Sequence, residues 1–502
     1  MEAHAILESD AYSASMNKFA HLIQQIDGLN TEEMSLSQIE VLIEIEGREL
    51  LRTLMEERIH RFGSGNIGKT IETADRSILT ATRERIIGVK TLFGEIKVER
   101  TIYSKQGHES LAPKAAILNF PQQSYSHNLE KRLSFDAARG SFDEAINTVE
   151  LYTGATIPKR QAEEIAVRSS FDFESFYAQR SVEVATDSID QKRLIVLSTD
   201  GKGVVMRKED LRPETKKRAE KEKKLKKRLS KGEKKNAKRM AQVASVYTID
   251  PYVRSAEEIL SGISTTSPPK PINKRVWASL ELDQADVIKR MFKEAESRDP
   301  DHKNPWVFLV DGQLSQLNRI RKEIKVRGIS GTIIVDIIHV IEYLWKASRE
   351  FYSEGSTEGE EWVSRYLLMI LQGKAKRVAS AIRRSATRQN KTDRASIDTC
   401  ASYLHKYARY MDYNKYLTQG LPIATGVIEG ACRYLVKDRM DITGARWSLK
   451  GAEAILRLRS IRASGDWEEY WKYHEKQELM RNHLSRYANP EVLQFPKLTQ
   501  VK

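Results

Sequence analysis

The sequence predicts a mixed α/β protein in which helical regions precede and interrupt a central sheet. Five short apolar runs between residues 194 and 338 are typical of buried strands, and helical segments separate the last three of them. The regions before and after these runs carry mainly helical periodicity. A chain of 502 residues is too long for one ordinary domain, so we expect roughly three or four.

Composition indicates a folded protein with a basic surface. Hydrophobic residues make up 40% and charged residues 30%, which allows a core and argues against whole-chain disorder. A net charge of +14 favours a polyanionic partner such as nucleic acid. Only Cys400 and Cys432 are present, which excludes a disulfide scaffold and an all-cysteine zinc finger. With no signal peptide or bilayer-spanning stretch, we expect a cytoplasmic protein without a membrane partner.

Most of the excess charge lies in residues 207–239. This segment holds 17 basic and 6 acidic residues, a net charge of +11, which leaves +3 for the rest of the chain. It is either a solvated, partly helical insertion or an arm that binds along the phosphates of a nucleic acid. The affinity of such an arm would fall as the salt concentration rises. We favour the arm because the flanking segments also indicate nucleic acid, although it contains no aromatic residue for base stacking.

Before residue 125 the sequence predicts helices followed by a hairpin. Ser37 and Glu40 fit a capping box, after which apolar residues recur at helical spacing. Ile86–Lys90 and Glu95–Tyr103 read as two strands joined by a tight turn. Arg100 shares a face with the apolar residues of the second strand, and we interpret that face as directed to the core.

Residues 126–170 predict three short helices. Gly154–Thr156 is a tight connection, and Pro158 opens the third helix. This order is typical of a helix-turn-helix and equally of an ordinary helical bundle. In a helix-turn-helix, Lys159 and Arg160 would lie at the start of the recognition helix and contact DNA.

The centre of the chain predicts strands and helices in an order that gives a mixed sheet. Residues 349–420 carry no strand signal and are interpreted as a helical insertion, followed by a helix over Val427–Lys437. The predicted strands are Leu194–Leu197, Ala241–Tyr247, Arg275–Leu280, Trp306–Val310 and Gly331–Ile338. The predicted helices between them are Asp283–Glu296 and Leu314–Glu323.

Three acidic residues lie where a protein with the predicted sheet would have its active site. Asp200 and Asp311 each end an apolar strand directly before a glycine, although an aspartate there is also a common turn starter. Glu429 lies in the first turn of a helix, where an acid also complements the helix dipole, and Gly430 after it indicates close approach by another group. Three carboxylates that converge on one crevice suit two-metal phosphoryl transfer, for which Mg²⁺ has the appropriate ligand preference.

The segments around these acids resemble bacterial insertion-sequence DDE transposases. They read LSTDGKGVVMR, VFLVDGQLSQL, VDIIHVIEYLW and TGVIEGACRYLVKDRMDITGARW. They are similar to the ISKra group, which is related to the Mutator-like superfamily. The resemblance runs from about Thr91 to about Trp471 and is most specific from Glu429 to Trp447. It implies an RNase H-like core with a helical insertion, and a transposase that cuts transposon ends and joins the freed 3′-hydroxyl to target DNA.

The resemblance implies that Asp200, Asp311 and Glu429 are catalytic residues that hold two Mg²⁺ ions, with Mn²⁺ as an alternative. Asp336 and His339 match an Asp-x-x-His element that lies near the site in relatives. Asp336 is an alternative to Asp311 as the second metal ligand. We favour Asp311 because it ends the strand after the first helix. His339 is expected to be half-buried and not a zinc ligand, because neither cysteine is near it. The cysteine pair that some relatives carry near the N-terminal hairpin is missing, so no metal is expected there.

Basic residues follow Glu429 and could contact phosphates beside the scissile bond or form a solvated helix face. Trp447 could stack on an unpaired base or belong to the core. Lys202 could reach a phosphate, but its glycines lack the spacing of a P-loop, so we expect no ATP dependence. The basic residues are Arg433, Lys437, Arg439, Arg446 and Lys450.

We therefore expect a DDE transposase that acts on double-stranded DNA, at terminal inverted repeats and at the target, as a nucleoid-associated homo-oligomer. A catalytically inactive DNA-binding regulator derived from a transposase and an RNase H-fold nuclease stay open as alternatives. The expected regions are a helical N-terminal region (1–80), a hairpin and helix-turn-helix-like DNA-binding region (81–185), the first part of the core (186–348), the helical insertion (349–420), the final core helices (421–475) and a C-terminal tail (476–502).

Overall fold

The computed structural model describes residues 12–28, 34–184, 193–221, 236–263 and 266–493. The chain divides into two compact units, unit 1 (Met1–Phe176 and Trp467–Lys502) and unit 2 (Tyr177–Asp466). The fold is mixed α/β with a mixed sheet, as the sequence predicts. Within the described ranges, no helix combines the length and the apolar character needed to cross a bilayer.

Strands and helices are numbered here in chain order. The strands are β1 (Thr70–Glu72), β2 (Ile78–Thr91), β3 (Gly94–Ser104), β4 (Leu194–Val205), β5 (Lys238–Ile249), β6 (Ile272–Ser279), β7 (Trp306–Val310) and β8 (Gly331–Val335). The helices up to the end of β8 are α1 (Ser13–Asp27), α2 (Leu36–His60), α3 (Pro113–Ile117), α4 (His127–Arg139), α5 (Phe142–Thr153), α6 (Lys159–Ser169), α7 (Phe173–Val184), α8 (Pro213–Lys221), α9 (Ala256–Ser261), α10 (Gln284–Arg298) and α11 (Leu314–Arg327). The later helices are α12 (Ile337–Ser348), α13 (Thr357–Leu371), α14 (Ala375–Arg388), α15 (Ala395–Tyr407), α16 (Tyr413–Thr418), α17 (Gly426–Ala431), α18 (Leu449–Ser464) and α19 (Trp467–Asn482).

Unit 1 contains an antiparallel sheet in the order β1-β2-β3. The predicted hairpin is present, but β2 begins at Ile78 instead of Ile86, and the short strand β1 was not predicted. Ile96 and Val98 on one face of β3 are fully buried, as expected, whereas Arg100 on the same face is partly buried, and helix α2 packs against this strand. In the register of the two long strands, Arg85 lies directly opposite Arg100.

Two boundaries in unit 1 differ from the sequence predictions. The capping box of α2 is formed by Ser35 and Gln38, two residues before the predicted pair. Helix α19 belongs to unit 1 and not to the core of unit 2. Residues 476–482 continue this helix, so the predicted C-terminal tail is helical at its start.

The three helices predicted between residues 126 and 170 are α4, α5 and α6, and they pack on one another. The hydroxyls of Ser126 and Ser141 cap the first two, accepting hydrogen bonds from the backbone N–H groups three residues ahead. Helix α5 ends at Gly154 in the left-handed conformation, with φ 69°. A buried hydrogen bond of 2.9 Å from Ser134 to Ser169 joins α4 to α6.

Unit 2 is built on a five-stranded sheet in the order β6-β5-β4-β7-β8. The first three strands along the chain, β4, β5 and β6, are antiparallel, whereas β7 and β8 run parallel to β4. Strand β7 has the predicted bounds and is buried throughout. Phe292 of α10 stacks on Phe308 with ring centroids 5.1 Å apart, and α18 packs against β6.

The predicted insertion between the last strand and Glu429 is helical. Helices α13 to α16 occupy it, and the part of the chain that the structure describes has no strand between residues 349 and 420. Tyr413 donates a hydrogen bond of 2.7 Å to the carbonyl of Val335, which ties the insertion to the end of β8. Of the predicted basic arm, residues 222–235 lie outside the described residues, while Pro213–Lys221 form helix α8.

Candidate active site

Three aspartates lie at the same level of three adjacent strands of unit 2, Asp200 within β4 and Asp311 and Asp336 directly after β7 and β8. The parallel register of β4 and β7, extended by two residues, places Asp200 beside Asp311. The register of β7 and β8, extended by one residue, places Asp311 beside Asp336. Because neighbouring strands are about 4.8 Å apart, this extended register places the backbones of the three residues side by side, and we call the three residues the acidic row.

Asp200 lies inside strand β4 and not at its end. The strand continues through Asp200 to Val205, because β5 pairs with it along its whole length. The sequence prediction ended this strand too early, since the residues that follow are no longer uniformly apolar. Asp200 Oδ2 accepts a hydrogen bond of 3.2 Å from the thiol of Cys432, which sequence analysis did not connect with the site. Burial, followed by the charge of Asp200, raises the pKa of Cys432, so this thiol remains a protonated donor.

Asp311 follows the last residue of β7 in a tight turn. Its Oδ1 accepts a hydrogen bond of 2.8 Å from the backbone N–H of Gln313, and its carbonyl accepts one of 2.8 Å from the hydroxyl of Tyr403. Gly312 has φ 93°, and a Cβ at this position would lie 3.0 Å from the Tyr403 ring. Both the left-handed backbone and the close aromatic ring therefore require glycine here.

Asp336 is fully buried and caps helix α12. Its Oδ1 accepts hydrogen bonds from the backbone N–H of Ile338 at 3.0 Å and of Thr425 at 3.3 Å. Its Oδ2 accepts the hydroxyl of Thr425, which also lies 3.3 Å from Glu429 Oε1. Asp336 thus fixes the start of the helix that carries Glu429.

Asp336, His339 and Glu429 each offer one ligand atom to a group in which all atoms lie within 4.8 Å of one another. This group could hold a metal ion. His339 is half-buried, as expected, but one of its ring nitrogens belongs to the group. Among the described residues, Asp200 and Asp311 belong to no such group of three possible ligands. The assignment of Asp200, Asp311 and Glu429 as metal ligands therefore stays a prediction.

Negative charge is concentrated around Glu429. Desolvation, and then the charge of Asp336, raise the pKa of Glu429 above its ordinary value, while His339 lowers it. Glu429 lies in the first turn of α17, as predicted. A Cβ at Gly430 would make an ordinary contact of 3.5 Å with Tyr434, so no close approach explains this glycine.

A wider helical turn follows α17, three residues after Glu429. Residues Cys432–Lys437 form a π-helical turn, which is rare and is frequently found at functional sites. Arg459 of α18 donates hydrogen bonds to the carbonyls of Tyr434 and Leu435 in this turn, the second at 2.8 Å. A half-buried guanidinium group on the neighbouring helix α18 therefore holds the wide turn.

A cavity of about 460 Å³ opens beside Asp311 between α12 and α15. The rings of Tyr343 and Tyr403 stack in its wall with centroids 4.1 Å apart. Lys346 and Lys406 also line it, and His339 connects it to the metal-capable group. Aromatic faces and ammonium groups together can bind a nucleotide through its base and its phosphate.

The predicted DNA contacts after Glu429 divide into buried and exposed residues. Trp447 is 7% exposed and donates its indole N–H to the carbonyl of Met440 at 3.1 Å, so its core alternative is confirmed and stacking on a base is wrong. Arg439 is 3% exposed, and its guanidinium lies 4.7 Å from the Trp447 ring, which corrects its assignment as a phosphate contact. The exposed residues are Arg433, Lys437, Arg446 and Lys450.

The other predicted DNA contacts lie on two different elements. Lys202 is on β4, two residues after Asp200, and is partly exposed. Lys159 and Arg160 begin helix α6, where they pair with the exposed carboxylates of Asp143 at 2.7 Å and Glu164 at 3.1 Å. Ion pairs between such exposed side chains are weak, so Lys159 and Arg160 are both available to bind a phosphate.

No protein-family model matches this chain, and no curated protein is significantly similar to it. Its function is therefore inferred from the arrangement of its side chains. The acidic row of Asp200, Asp311 and Asp336, with Glu429 joined to it through Thr425, is the arrangement that carries the inference.

Proposed function

We propose that the protein is a DDE transposase with an RNase H-like core in unit 2. The observation that carries this proposal is the acidic row at one edge of the parallel strands, with Glu429 beside it on a helix that follows a helical insertion. The strand order β6-β5-β4-β7-β8, with three antiparallel strands before two parallel ones, supports the same core. Such an arrangement suits metal-dependent phosphoryl transfer.

The donor atoms of the site fit divalent cations that prefer oxygen. Asp200 accepts the Gly201 N–H and the Cys432 thiol, and Asp311 accepts the Gln313 N–H, which leaves lone pairs on both carboxylates. Desolvation, and then the charge of Asp336, raise the pKa of Glu429, and a bound cation would offset that negative charge. We propose that these three residues hold two Mg²⁺ ions, with Mn²⁺ as an alternative. Bound ions would supply charge stabilisation for the attacking and leaving oxygens of a phosphodiester.

Asp336 acts mainly as a positioning residue in this proposal. Both lone pairs of its Oδ1 already accept backbone N–H groups, and its Oδ2 accepts the Thr425 hydroxyl. Asp311 keeps more free acceptor capacity, because a single backbone N–H reaches its carboxylate. Hydrogen bonding thus favours Asp311 as the second ligand, although Asp336 lies closer to Glu429.

We propose that three further features of the protein contact DNA. The tyrosine- and lysine-lined cavity beside Asp311 would receive the terminal nucleotide at the cut, and the exposed basic residues after Glu429 would contact neighbouring phosphates. Helix α6 would present Lys159 and Arg160 to terminal-repeat DNA. Two transposon ends must be joined, so the active form would be a homo-oligomer on DNA, associated with the nucleoid.

The test is strand cleavage of labelled duplexes taken from the DNA that flanks the reading frame. Asp200→Asn, Asp311→Asn and Glu429→Gln should each lower the Mg²⁺-dependent rate by about a thousandfold or more, because each removes an oxygen anion without changing shape. Asp301→Asn, which neutralises an exposed acid paired with Lys303, is the matched control and should retain activity. Full activity of Asp200→Asn would remove that residue from the site.

The same assay separates transposition from the two alternatives. Supplying duplexes with pre-cut 3′ ends should give products joined to a target duplex. Cleavage without joining would indicate a nuclease of the same fold. Binding without either reaction, and without a carboxylate-dependent response to Mg²⁺, would indicate a DNA-binding regulator.

A further inference from the structure

Unit 1 contains a small cavity whose charged lining is cationic. Its volume is about 170 Å³, and it lies where strands β2 and β3 meet the residues after α19. No carboxylate is among its lining residues in the part of the chain that the structure describes. The polar residues that carry the argument are Arg83, Arg85, Arg100, Arg486 and His483.

The placement of Arg100, which is partly buried, is costly without a partner. Arg85, which is exposed, lies directly opposite Arg100 on the face that continues the pair of partly buried Ile87 and buried Val98. Like charges directly opposite on antiparallel strands destabilise a sheet. Burial, and then the charge of Arg85, lower the pKa of Arg100. The Nε of Arg100 is enclosed and has no hydrogen-bond partner among the described residues.

The groups around the cavity do little to offset this charge. Arg486 pairs with Glu109 at 2.5 Å, but the Glu109 side chain is 87% exposed and lies outside the cavity lining. Burial lowers the pKa of His483, whose Nε2 is 2.7 Å from the carbonyl oxygen of Phe120. The positive charge of the cavity therefore comes from its arginines and is available to an anion.

We propose that this cavity binds a phosphate group. Guanidinium groups present paired N–H donors that match the oxygens of a phosphate, and four of them converge here. The cavity is smaller than the roughly 300–1,000 Å³ of pockets that take larger organic ligands, which favours a single phosphate. A backbone phosphate of DNA and free inorganic phosphate share this chemistry. The inference needs neither cleavage nor a divalent cation, so it does not rest on the acidic site.

The first arm of the test titrates inorganic phosphate into the full chain by calorimetry. Arg85→Ala and Arg100→Ala should weaken phosphate binding about tenfold or more, and Arg83→Ala, which changes a solvent-exposed side chain, provides a variant expected to fold normally. Lys97→Ala removes one positive charge from the other face of β3 and should bind phosphate like the unaltered protein. Wild-type affinity in all three arginine variants overturns the proposal.

The second arm identifies the source of the phosphate. Fluorescence anisotropy of a labelled duplex is measured at several salt concentrations. If a DNA backbone phosphate occupies the cavity, Arg85→Ala also weakens duplex binding and reduces the slope against log salt by about 1. If free phosphate is the ligand, only the calorimetric affinity falls. Asp200→Asn should bind phosphate normally, so a failure of the proposed catalytic function leaves this result unaffected.

Discussion

The acidic row of unit 2 and the arginine cavity of unit 1 are both clusters of like charge on a sheet, but they are supported differently. Backbone N–H groups, a thiol and a threonine hydroxyl donate hydrogen bonds to the aspartates. In the arginine cavity, Arg85 and Arg100 lie opposite each other across the strands, and the enclosed Nε of Arg100 has no hydrogen-bond partner in the part of the chain that the structure describes. The acidic cluster is held in place by the protein, whereas the basic cluster depends on a ligand for its counter-charge.

This difference follows from the hydrogen bonds that acidic and basic side chains can make at a functional site. A carboxylate accepts hydrogen bonds from neutral donors that the backbone supplies in abundance, so an acidic site can be ordered before its cation binds. A guanidinium needs acceptors, and the Nε of Arg100 finds none among the described residues. An ordered acidic site and a strained basic one are therefore expected to respond in opposite ways to mutation.

The largest effect should come from the core that supports the acidic row. Trp447→Ala should lower the free energy of unfolding by about 3–5 kcal/mol, because it empties a buried site next to Arg439 and beside the end of β4. Chemical denaturation measures this, with Trp447→Phe as the milder control. Unchanged stability together with weaker binding to single-stranded DNA would restore the stacking interpretation.

A smaller loss is expected when the support of Glu429 is removed. Asp336→Ala should cost about 2–3 kcal/mol, since it leaves the N–H groups of Ile338 and Thr425 without their acceptor. Thr425→Val, which removes only the hydroxyl, tests the same connection from the other side. If Asp336→Ala abolishes cleavage while thermal stability stays unchanged, Asp336 is a metal ligand and not a positioning residue.

The arginine cavity should behave in the opposite way. Arg100→Leu is expected to raise the free energy of unfolding by about 0.5–1 kcal/mol in phosphate-free buffer, because it removes one of two facing charges from a partly buried position. Adding phosphate should reduce or reverse this advantage. Lys97→Leu on the outer face is the control and should give no gain. Destabilisation by Arg100→Leu would contradict the view that this charge is unbalanced.

The smallest effect concerns the pH dependence of the acidic row. The raised pKa of Glu429 means that the folded state holds this proton at a pH where the unfolded chain has released it. Ionisation of Glu429 therefore reduces stability as pH rises through this pKa. Without divalent ions, Glu429→Gln should raise the thermal midpoint at neutral pH slightly, on the order of 1 °C, and have no such effect at pH 4. An equal effect at both pH values would exclude electrostatics as the cause.

The elements that the sequence predicts best are those with a uniform local pattern. Strand β7 has five apolar residues between a proline and an aspartate, and its predicted bounds match the structure. Helix α10 begins at Gln284, one residue after the predicted start at Asp283, and the Asp283 side chain caps it by accepting the N–H of Asp286 at 2.9 Å. Asp311 could also be placed directly after a strand, because an apolar run followed by Asp-Gly is visible without knowledge of the fold.

The features that sequence analysis missed depend on distant partners. The outer half of β2 is polar and exposed and exists as a strand because β3 pairs with it. Strand β4 continues past Asp200 because β5 extends alongside it. The contact between Cys432 and Asp200 joins residues 232 positions apart, and nothing in the neighbourhood of either residue indicates it. Trp447 carries no local signal that distinguishes a buried ring from one that stacks on a base.

The π-helical turn after Glu429 limits how the length of this segment can change. Such a turn holds one residue more than an α-helical turn, which corresponds to about 100° of rotation around the axis. Deleting any one residue from Cys432–Lys437 would restore regular α-helical spacing and rotate the following chain, so that Trp447 could no longer pair with the end of β4. Insertions and deletions are therefore more harmful here than most single substitutions.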